Sequence, residues 1–326
     1  MPLPTARLSV NKEARKLLDE LIEYADRYGV IVKKTKEGAT LIDAGIKAKG
    51  GYEAGRIITE ICLGGLGNVS IHLTYYEDTP LPSILVHSDH PAIAAMGSQF
   101  ADWQIKHGNF NAIASGPARA LARTDTRLYQ KIDYQDKATT TMILLETENE
   151  PPEAVIKEIA HKCKVPVKGV SLIMAPTTSI AGSTQVSGRI VETGIHKLMK
   201  LGIDPKKVTT AIGTAPIASV HPKFIVAMGR TNDAILYAGR AHYTITGYND
   251  EELKQTIKKA PSSASKHYGQ PFQQIFKEAG YDFYKIDPNL FAPAMVSACN
   301  IDTGSVFEAG TTNAEILWRS MGLKAD

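Results

Sequence analysis

Cysteine is scarce in this chain. Only Cys62, Cys163 and Cys299 occur, their spacing is wide and no CxxC is present. An odd, scattered set excludes a disulfide framework and a structural zinc site, and it fits a reducing cytosol. Charge of one sign is also lacking: 37 Lys and Arg stand against 34 Asp and Glu, a formal net charge of +3, with no basic run of five. A tract that tracks nucleic-acid phosphates is therefore not expected. Long apolar runs are missing too. The longest charge-free stretch, residues 169–188, carries Thr177, Thr178, Ser179, Ser183, Thr184 and Gln185 and is too polar for a bilayer span. The opening Met-Pro-Leu-Pro-Thr-Ala-Arg has no apolar centre, so no secretory leader is expected. GxGxxG after a strand, GxxxxGK[ST] and HExxH are all absent, against dehydrogenase, nucleotide-hydrolase and zinc-hydrolase readings.

What is present is ordinary globular material. The chain has 326 residues, 43% hydrophobic and 22% charged. That is enough for roughly two domains with substantial cores. Periodicity alternates between helix and strand, which predicts an α/β fold. Helices are expected over residues 11–28 (capped by Asn11), 52–63, 91–106, 152–163, 180–201, 222–237, 251–259, 272–279 and 313–320. Strands are expected over 30–34, 39–43, 69–75, 83–87, 110–114, 139–145, 170–175, 208–212, 241–246, 294–299 and 305–308. His87, Asp89 and His90 form the one tight histidine–carboxylate group. It reads either as a metal trio or as a strand-to-helix turn with Asp89 as cap and Pro91 at the first helical position.

Three short segments recur in order. Ala39-Thr-Leu-Ile-Asp-Ala-Gly45 matches Val170-Ser-Leu-Ile-Met-Ala-Pro176, Gly55-Arg-Ile-Ile58 matches Gly188-Arg-Ile-Val191, and His90-Pro91 matches His221-Pro222, at offsets of 131, 133 and 131 residues. Such spacing points to an internal duplication. It predicts two similar α/β domains flanking a deep substrate pocket. The expected division assigns residues 1–136 plus 283–326 to a first domain and 137–282 to a second.

Chemistry-bearing residues gather at strand-to-helix junctions: Ser115-Gly-Pro-Ala-Arg119, Ala175-Pro-Thr-Thr-Ser-Ile-Ala-Gly-Ser183 and Pro261-Ser-Ser-Ala-Ser265. Their free N–H groups and hydroxyls either cap helices or receive an anion or a heterocycle carbonyl. On the helix after the second junction, Gln185, Arg189, Glu192 and His196 fall on one stripe, opposite Ile190, Val191, Gly194, Ile195 and Leu198. Arg189 and Glu192 stand three apart and can meet. Spacing alone leaves both a solvated ion pair and a functional pair open.

Taken together, the segments resemble the methenyltetrahydromethanopterin cyclohydrolase family. The resemblance rests on Ile61-Cys-Leu-Gly-Gly-Leu-Gly67, His90-Pro-Ala-Ile-Ala, Gly97-Ser-Gln, Ser115-Gly-Pro-Ala-Arg-Ala120, Ala175-Pro-Thr-Thr-Ser-Ile-Ala-Gly-Ser183 and Gly188-Arg189. It continues through Ala227-Met-Gly-Arg-Thr-Asn-Asp-Ala-Ile-Leu-Tyr237, Pro261-Ser-Ser-Ala-Ser265, Phe283-Tyr-Lys-Ile-Asp287 and Phe291-Ala-Pro293, over nearly the whole chain. The resemblance implies a cytoplasmic homotrimer of one-carbon metabolism that interconverts the methenyl and formyl states of tetrahydromethanopterin. The pterin is then the substrate carrier, with no metal and no organic cofactor, and no nucleic-acid or membrane partner. It ties catalysis to an arginine and a glutamate that match Arg189 and Glu192. Another pterin-dependent one-carbon enzyme (a dehydrogenase or formyltransferase) and a non-catalytic pterin carrier are the competing readings.

The chemistry suits one carboxylate. The methenyl bridge is an amidinium whose carbon is already electrophilic, so a base must take a proton from water and later return one to the departing nitrogen. Glu192 is the expected base and acid, held by Arg189 in a cleft where burial raises its pKa against the arginine. Ser115, Gly116 and Arg119, with Thr178 and Ser179, are candidates for the pterin head or linker. Arg230, Asn232 and Asp233 are candidates for the opposite wall, and Lys285 for the anionic tail. Each also has a plain structural reading. Arg56 and Glu60, the duplicated counterpart of the catalytic pair, are expected to be structural or interfacial.

Overall fold

The computed structural model describes residues 8–322. Residues 1–7, on which the reading of no leader rests, lie outside the described residues, as do 323–326. The α-helices are α1 (Val10–Glu23), α2 (Ala25–Tyr28), α3 (Tyr52–Cys62), α4 (Ala118–Ala122), α5 (Thr126–Lys131), α6 (Glu153–Cys163), α7 (Ile180–Ser187), α8 (Ile190–Lys200), α9 (Phe224–Ala238), α10 (Asp250–Lys258), α11 (Phe272–Glu278) and α12 (Ala314–Met321). A π-helix covers Ala92–Gln99. The strands are β1 (Ile31–Lys34), β2 (Thr40–Asp43), β3 (Asn68–Tyr76), β4 (Thr79–Ser88), β5 (Trp103–His107), β6 (Phe110–Ser115), β7 (Thr141–Glu146), β8 (Val170–Met174), β9 (Val208–Pro216), β10 (Arg240–Ile245), β11 (Met295–Asn300) and β12 (Val306–Gly310).

The fold is α/β, with two six-stranded sheets ordered β1-β2-β8-β7-β6-β5 and β12-β11-β10-β9-β4-β3. Burial explains their sequences. In the first sheet, Ile143, Leu145, Leu172 and Met174 face the core under α6, while Met142, Leu144 and Ile173 face the core under α1 and α3. Strands covered on both faces carry continuous apolar runs, and β7 and β8, parallel to each other, do so. In the second sheet, β10 and β11 alternate between buried and half-buried positions. Ala241, Tyr243, Val296 and Ala298 point inward and pack with Ile190, Val191, Ile195 and Leu198 of α8.

The repeated segments meet in the fold. β2 lies parallel to β8 with Thr40 opposite Ser171, and β4 lies antiparallel to β9 with Ile84 opposite Ala215. α3 crosses α7 reciprocally. A Cβ on Gly55 would come within 2.4 Å of Thr184 Cβ, and one on Gly188 within 2.5 Å of Thr59 Cγ2. The sheets do not follow the expected boundaries. Residues 1–136 supply β1, β2, β5 and β6 to the first sheet and β3 and β4 to the second, and residues 137–282 are likewise shared. Matched strands sit side by side, so each sheet needs pieces from both segments.

Four local expectations are corrected. Residues 91–106 are not one helix: the π-helix ends at Gln99, and β5 then pairs with β6. Alternating Trp103 and Ile105 fill the core under α6, and Gly108, at φ 55°, turns the hairpin. The helix over 180–201 breaks at Gly188-Arg189, where the Arg189 N–H donates to Val186 C=O and the Gly188 C=O is taken by Gln99 Nε2 at 3.1 Å. The first helix is capped by Ser9, whose Oγ accepts the Lys12 N–H. Asn11 sits inside it, buried, and donates to Pro117 C=O and to Asp136. At the turn before the π-helix, Ser88 Oγ rather than Asp89 accepts the His90 N–H, and Pro91 is the N-cap residue itself.

Candidate active site

The π-helix prepares the site. Its closing bond runs from Phe100 N–H to Ala95 C=O, a wide turn of the kind that recurs at functional positions. The last carbonyls of any helix lack takers within it. Here every one finds a partner from another element. Arg119 Nη1 donates to Met96 C=O at 3.0 Å and to Ser98 C=O at 3.3 Å. Tyr129 Oη donates to Gly97 C=O at 2.7 Å, and Gly116 N–H donates to Ser98 C=O at 2.9 Å. Arg189 Nη1 donates to Gln99 C=O at 2.8 Å. The negative end of this helix therefore holds two buried guanidinium groups.

Arg189 sits at the α7–α8 break and reaches four partners. Besides Gln99 C=O these are Ser115 Oγ at 2.7 Å, Gln185 Oε1 at 3.4 Å and Glu192 Oε2 at 3.4 Å. Glu192, in the first turn of α8, is only 6% exposed. Burial disfavours its charged form and wins over the lowering effects of Arg189 and Arg119, so its pKa rises to about 7. That is the balance expected of a general base working near neutrality. Arg119 is fully buried, ion-paired with Asp102, and lies 5.4 Å above the Phe100 ring and 6.0 Å above the Tyr129 ring.

A cleft of about 260 Å³ opens between the π-helix, α5 and α8, one helical turn from Glu192 at His196, and neither Arg189 nor Glu192 lines it. Met96, Phe100, His196 and Met199 form its apolar lining, and Arg127, Lys131 and Lys200 stand at its edge with Asp125. His196 follows Glu192 by one turn and packs on Phe100, with ring centroids 4.7 Å apart. Burial, reinforced by Lys200, pushes its pKa down to about 4, so it is neutral at pH 7. Among the described residues no cluster of three His, Cys, Asp or Glu side chains is placed to hold a metal, and no helix is long and apolar enough to cross a membrane.

The predicted site residues separate. Arg189, Glu192, Ser115, Gly116 and Arg119 converge around the end of the π-helix. Thr178 and Ser179 lie at the start of α7. Ser179 Oγ accepts the Gly182 N–H as the N-cap, and Thr178 donates to Glu148 at 3.2 Å. Arg230 donates to Ser320 C=O, Ser219 and Val220 C=O. Asn232 donates to Met228 C=O. Asp233 is fully buried and accepts Phe272 N–H and Ser320 Oγ–H, tying α9 to α11 and α12. None of these bonds reaches Arg189 or Glu192. Lys285 is exposed. The residue reading missed Gln99 and Asp102. Gln99 lies in the Gly97-Ser-Gln segment quoted for the resemblance, whereas Asp102 falls in the stretch misread as helix and had no local signal. Gln185 and His196 were on the noted stripe without an assigned role.

A family model described as Cyclohydrolase (MCH) matches residues 9–321. The chain belongs to this family. Among its cyclohydrolase relatives, the methenyltetrahydromethanopterin cyclohydrolase of Methanothermobacter marburgensis is 45% identical over 319 residues, covering 97% of this chain and 100% of the relative. That of Methanoregula boonei is 45% identical over 317 residues, with 97% and 100% covered. That of Methanocaldococcus jannaschii is 43% identical over 318 residues, with 97% and 98% covered.

Proposed function

We propose that the protein is a methenyltetrahydromethanopterin cyclohydrolase, adding water to the cationic methenyl bridge and opening it to the formyl compound, and running the reverse. Family membership and the names of relatives at 43–45% identity support the activity and the substrate. The observation that carries the mechanism is Glu192: a carboxyl group buried beside Arg189 with its pKa at about 7. At that value the group takes a proton and gives it back within one turnover.

Water attacks the bridging carbon while Glu192 removes one proton. A C–O bond forms, and the amidinium becomes a neutral carbinol. The C–N bond then breaks, Glu192 returns its proton to the departing nitrogen, and the hydroxyl loses the second proton as the formyl C=O forms. Hydrolysis thus releases one proton overall, balancing the lost cation. The bridging carbon is electrophilic by itself, so the proposed step draws on no Lewis acid. Arg189 keeps the carboxylate oriented. Ser115 and Gly116, buried beside Arg189 and the end of the π-helix, are assigned to the pterin head or linker, and Lys285 to the tail. Assembly as a cytoplasmic homotrimer completes the proposal and is checked by sedimentation.

The test is optical. Purified protein is mixed with the methenyl compound, without redox cofactor, and the loss of its ultraviolet absorbance is followed. Rapid bleaching by wild type and slow bleaching by Glu192→Gln support the proposal. Tight binding without bleaching makes the protein a carrier, and near-normal turnover of Glu192→Gln removes the glutamate from the mechanism.

A further inference from the structure

Two side-chain amides beside Arg189 are left half-used. Gln99 and Gln185 are each 1% exposed. Gln99 Nε2 donates to Gly188 C=O at 3.1 Å, which fixes the orientation of its amide and leaves Oε1 buried with no partner. Gln185 Oε1 accepts from Arg189 Nη2 at 3.4 Å, which fixes that amide too and leaves Nε2 buried with no partner. A buried unpaired polar atom loses its bonds to water and gains none in return, and native folds keep few of them. Here one acceptor and one donor are left over on two residues that both accept from one guanidinium, Gln99 through its backbone carbonyl and Gln185 through its amide oxygen, the same guanidinium that contacts Glu192.

A nucleophilic water has four directions to satisfy. One lone pair points at the carbon under attack. One O–H points at the base. The second lone pair needs a donor, and the second O–H needs an acceptor that is not itself a base. We propose that Gln185 Nε2 and Gln99 Oε1 supply these last two and, with Glu192, hold the attacking water. The inference rests on the cyclohydrolase reading above and deepens it. In the forward step Glu192 takes one proton and Gln185 donates to the oxygen throughout, first in water, then in the carbinol, then in the formyl group. Gln99 accepts from the remaining O–H, whose proton passes to the Glu192 carboxylate, freed by protonating the nitrogen, as the C=O forms, and from there to solvent. In reverse, the same Gln185 N–H polarises the formyl carbonyl as nitrogen attacks it. Both glutamines are positioning residues that act on the oxygen while Glu192 moves the proton.

The test compares Gln99→Met, Gln185→Met and Gln185→Glu with wild type in the bleaching assay, alongside thermal unfolding. Met keeps the volume and removes the polar atoms, and Glu replaces the Gln185 donor with an acceptor. The expected result is a drop in kcat of about 10–100-fold for each, with KM within about threefold and the unfolding midpoint unchanged, because a fixed donor at a developing charge acts on the transition state. In crystals of the wild-type protein, a water bonded to Gln99 Oε1, Gln185 Nε2 and Glu192 is the expected density, and that measurement needs no variant to fold. A kcat within twofold of wild type, a rise in KM with kcat intact, a loss that tracks a lowered midpoint, or crystals without that water each overturn the inference. If wild type bleaches the substrate and Glu192→Gln does not, these outcomes sink the glutamine roles alone. If wild type does not bleach it, the cyclohydrolase reading falls and takes the inference with it.

Discussion

Helix α3 carries Arg56 and Glu60, and α8 opens with Arg189 and Glu192. The two helices carry matching segments and bring the same two residue types together, in different surroundings. Arg56 is shared with exposed Glu53 as well as Glu60, and Glu60 accepts the Val69 N–H at 3.0 Å. That carboxylate fastens α3 to β3, and its pKa is raised by burial while the Val69 N–H and Arg56 work against the rise. Glu192 has no backbone donor of this kind. It faces one arginine at 3.4 Å, and its pKa climbs to about 7. A carboxylate with its lone pairs filled by the fold is a brace. One left thinly bonded in a dry site is free to exchange a proton.

Exchanging the two glutamates one at a time gives the largest contrast. Glu192→Gln should lower kcat by about 10²–10⁴-fold, whereas Glu60→Gln, which keeps an oxygen for Val69, should leave kcat within about twofold in the bleaching assay. Next come the arginines. Arg189→Ala removes the cation that holds down the Glu192 pKa, so the rising limb of the rate–pH profile should move above about 7 and activity at pH 7 should fall by about 10²-fold, with partial recovery in alkaline buffer. Arg56→Ala should leave the limb in place and cost about 1 kcal/mol in urea unfolding. A limb unmoved by Arg189→Ala would break the contrast.

The helix crossing sharpens it further. Gly55→Ala meets Thr184 and the Ala181 carbonyl, and Gly188→Ala meets Thr59 and Ile84. Both should lose about 1–3 kcal/mol by overpacking. Only Gly188→Ala should also slow turnover, since it displaces Arg189. The smallest effect separates two buried carboxylates. Asp233, like Glu192, has its pKa raised by burial to about 7. Each group binds a proton more tightly folded than unfolded, so the stability it contributes is complete below its ordinary range of about 4 and is lost as pH rises through about 7. Asp233→Asn should flatten that decline by about 1–2 kcal/mol between pH 5 and 8 without changing the rate limb. A rate limb that moves with Asp233→Asn would put the wrong carboxylate in control.

Much of this was legible from residue types. The strands expected over 139–145 and 170–175 form as β7 and β8, and the segments matched at an offset of 131 residues are real structural equivalents, although they pair (β2 with β8 and β4 with β9) instead of building separate domains. The stripe of Gln185, Arg189 and Glu192 survived the helix break, because Arg189 bonds to both neighbours across it. What was hidden depended on distant partners. The break at Gly188 exists because Gln99 and Thr59 arrive there from elsewhere in the chain. Asp102 matters through Arg119, 17 residues on. The sharing of both sheets between the copies is a matter of pairing, to which hydrophobic period is blind.

The wide turn at Ala92–Gln99 has a consequence for how the enzyme could change over evolutionary time. Its counterpart in the second copy, α9, winds as an ordinary α-helix. Removing one residue from the π segment would let it rewind into that form, rotate its terminal oxygens by about 100° and unfasten Arg119 and Arg189 together. A single codon deletion far from Glu192 would then erase the site while leaving every named side chain in place.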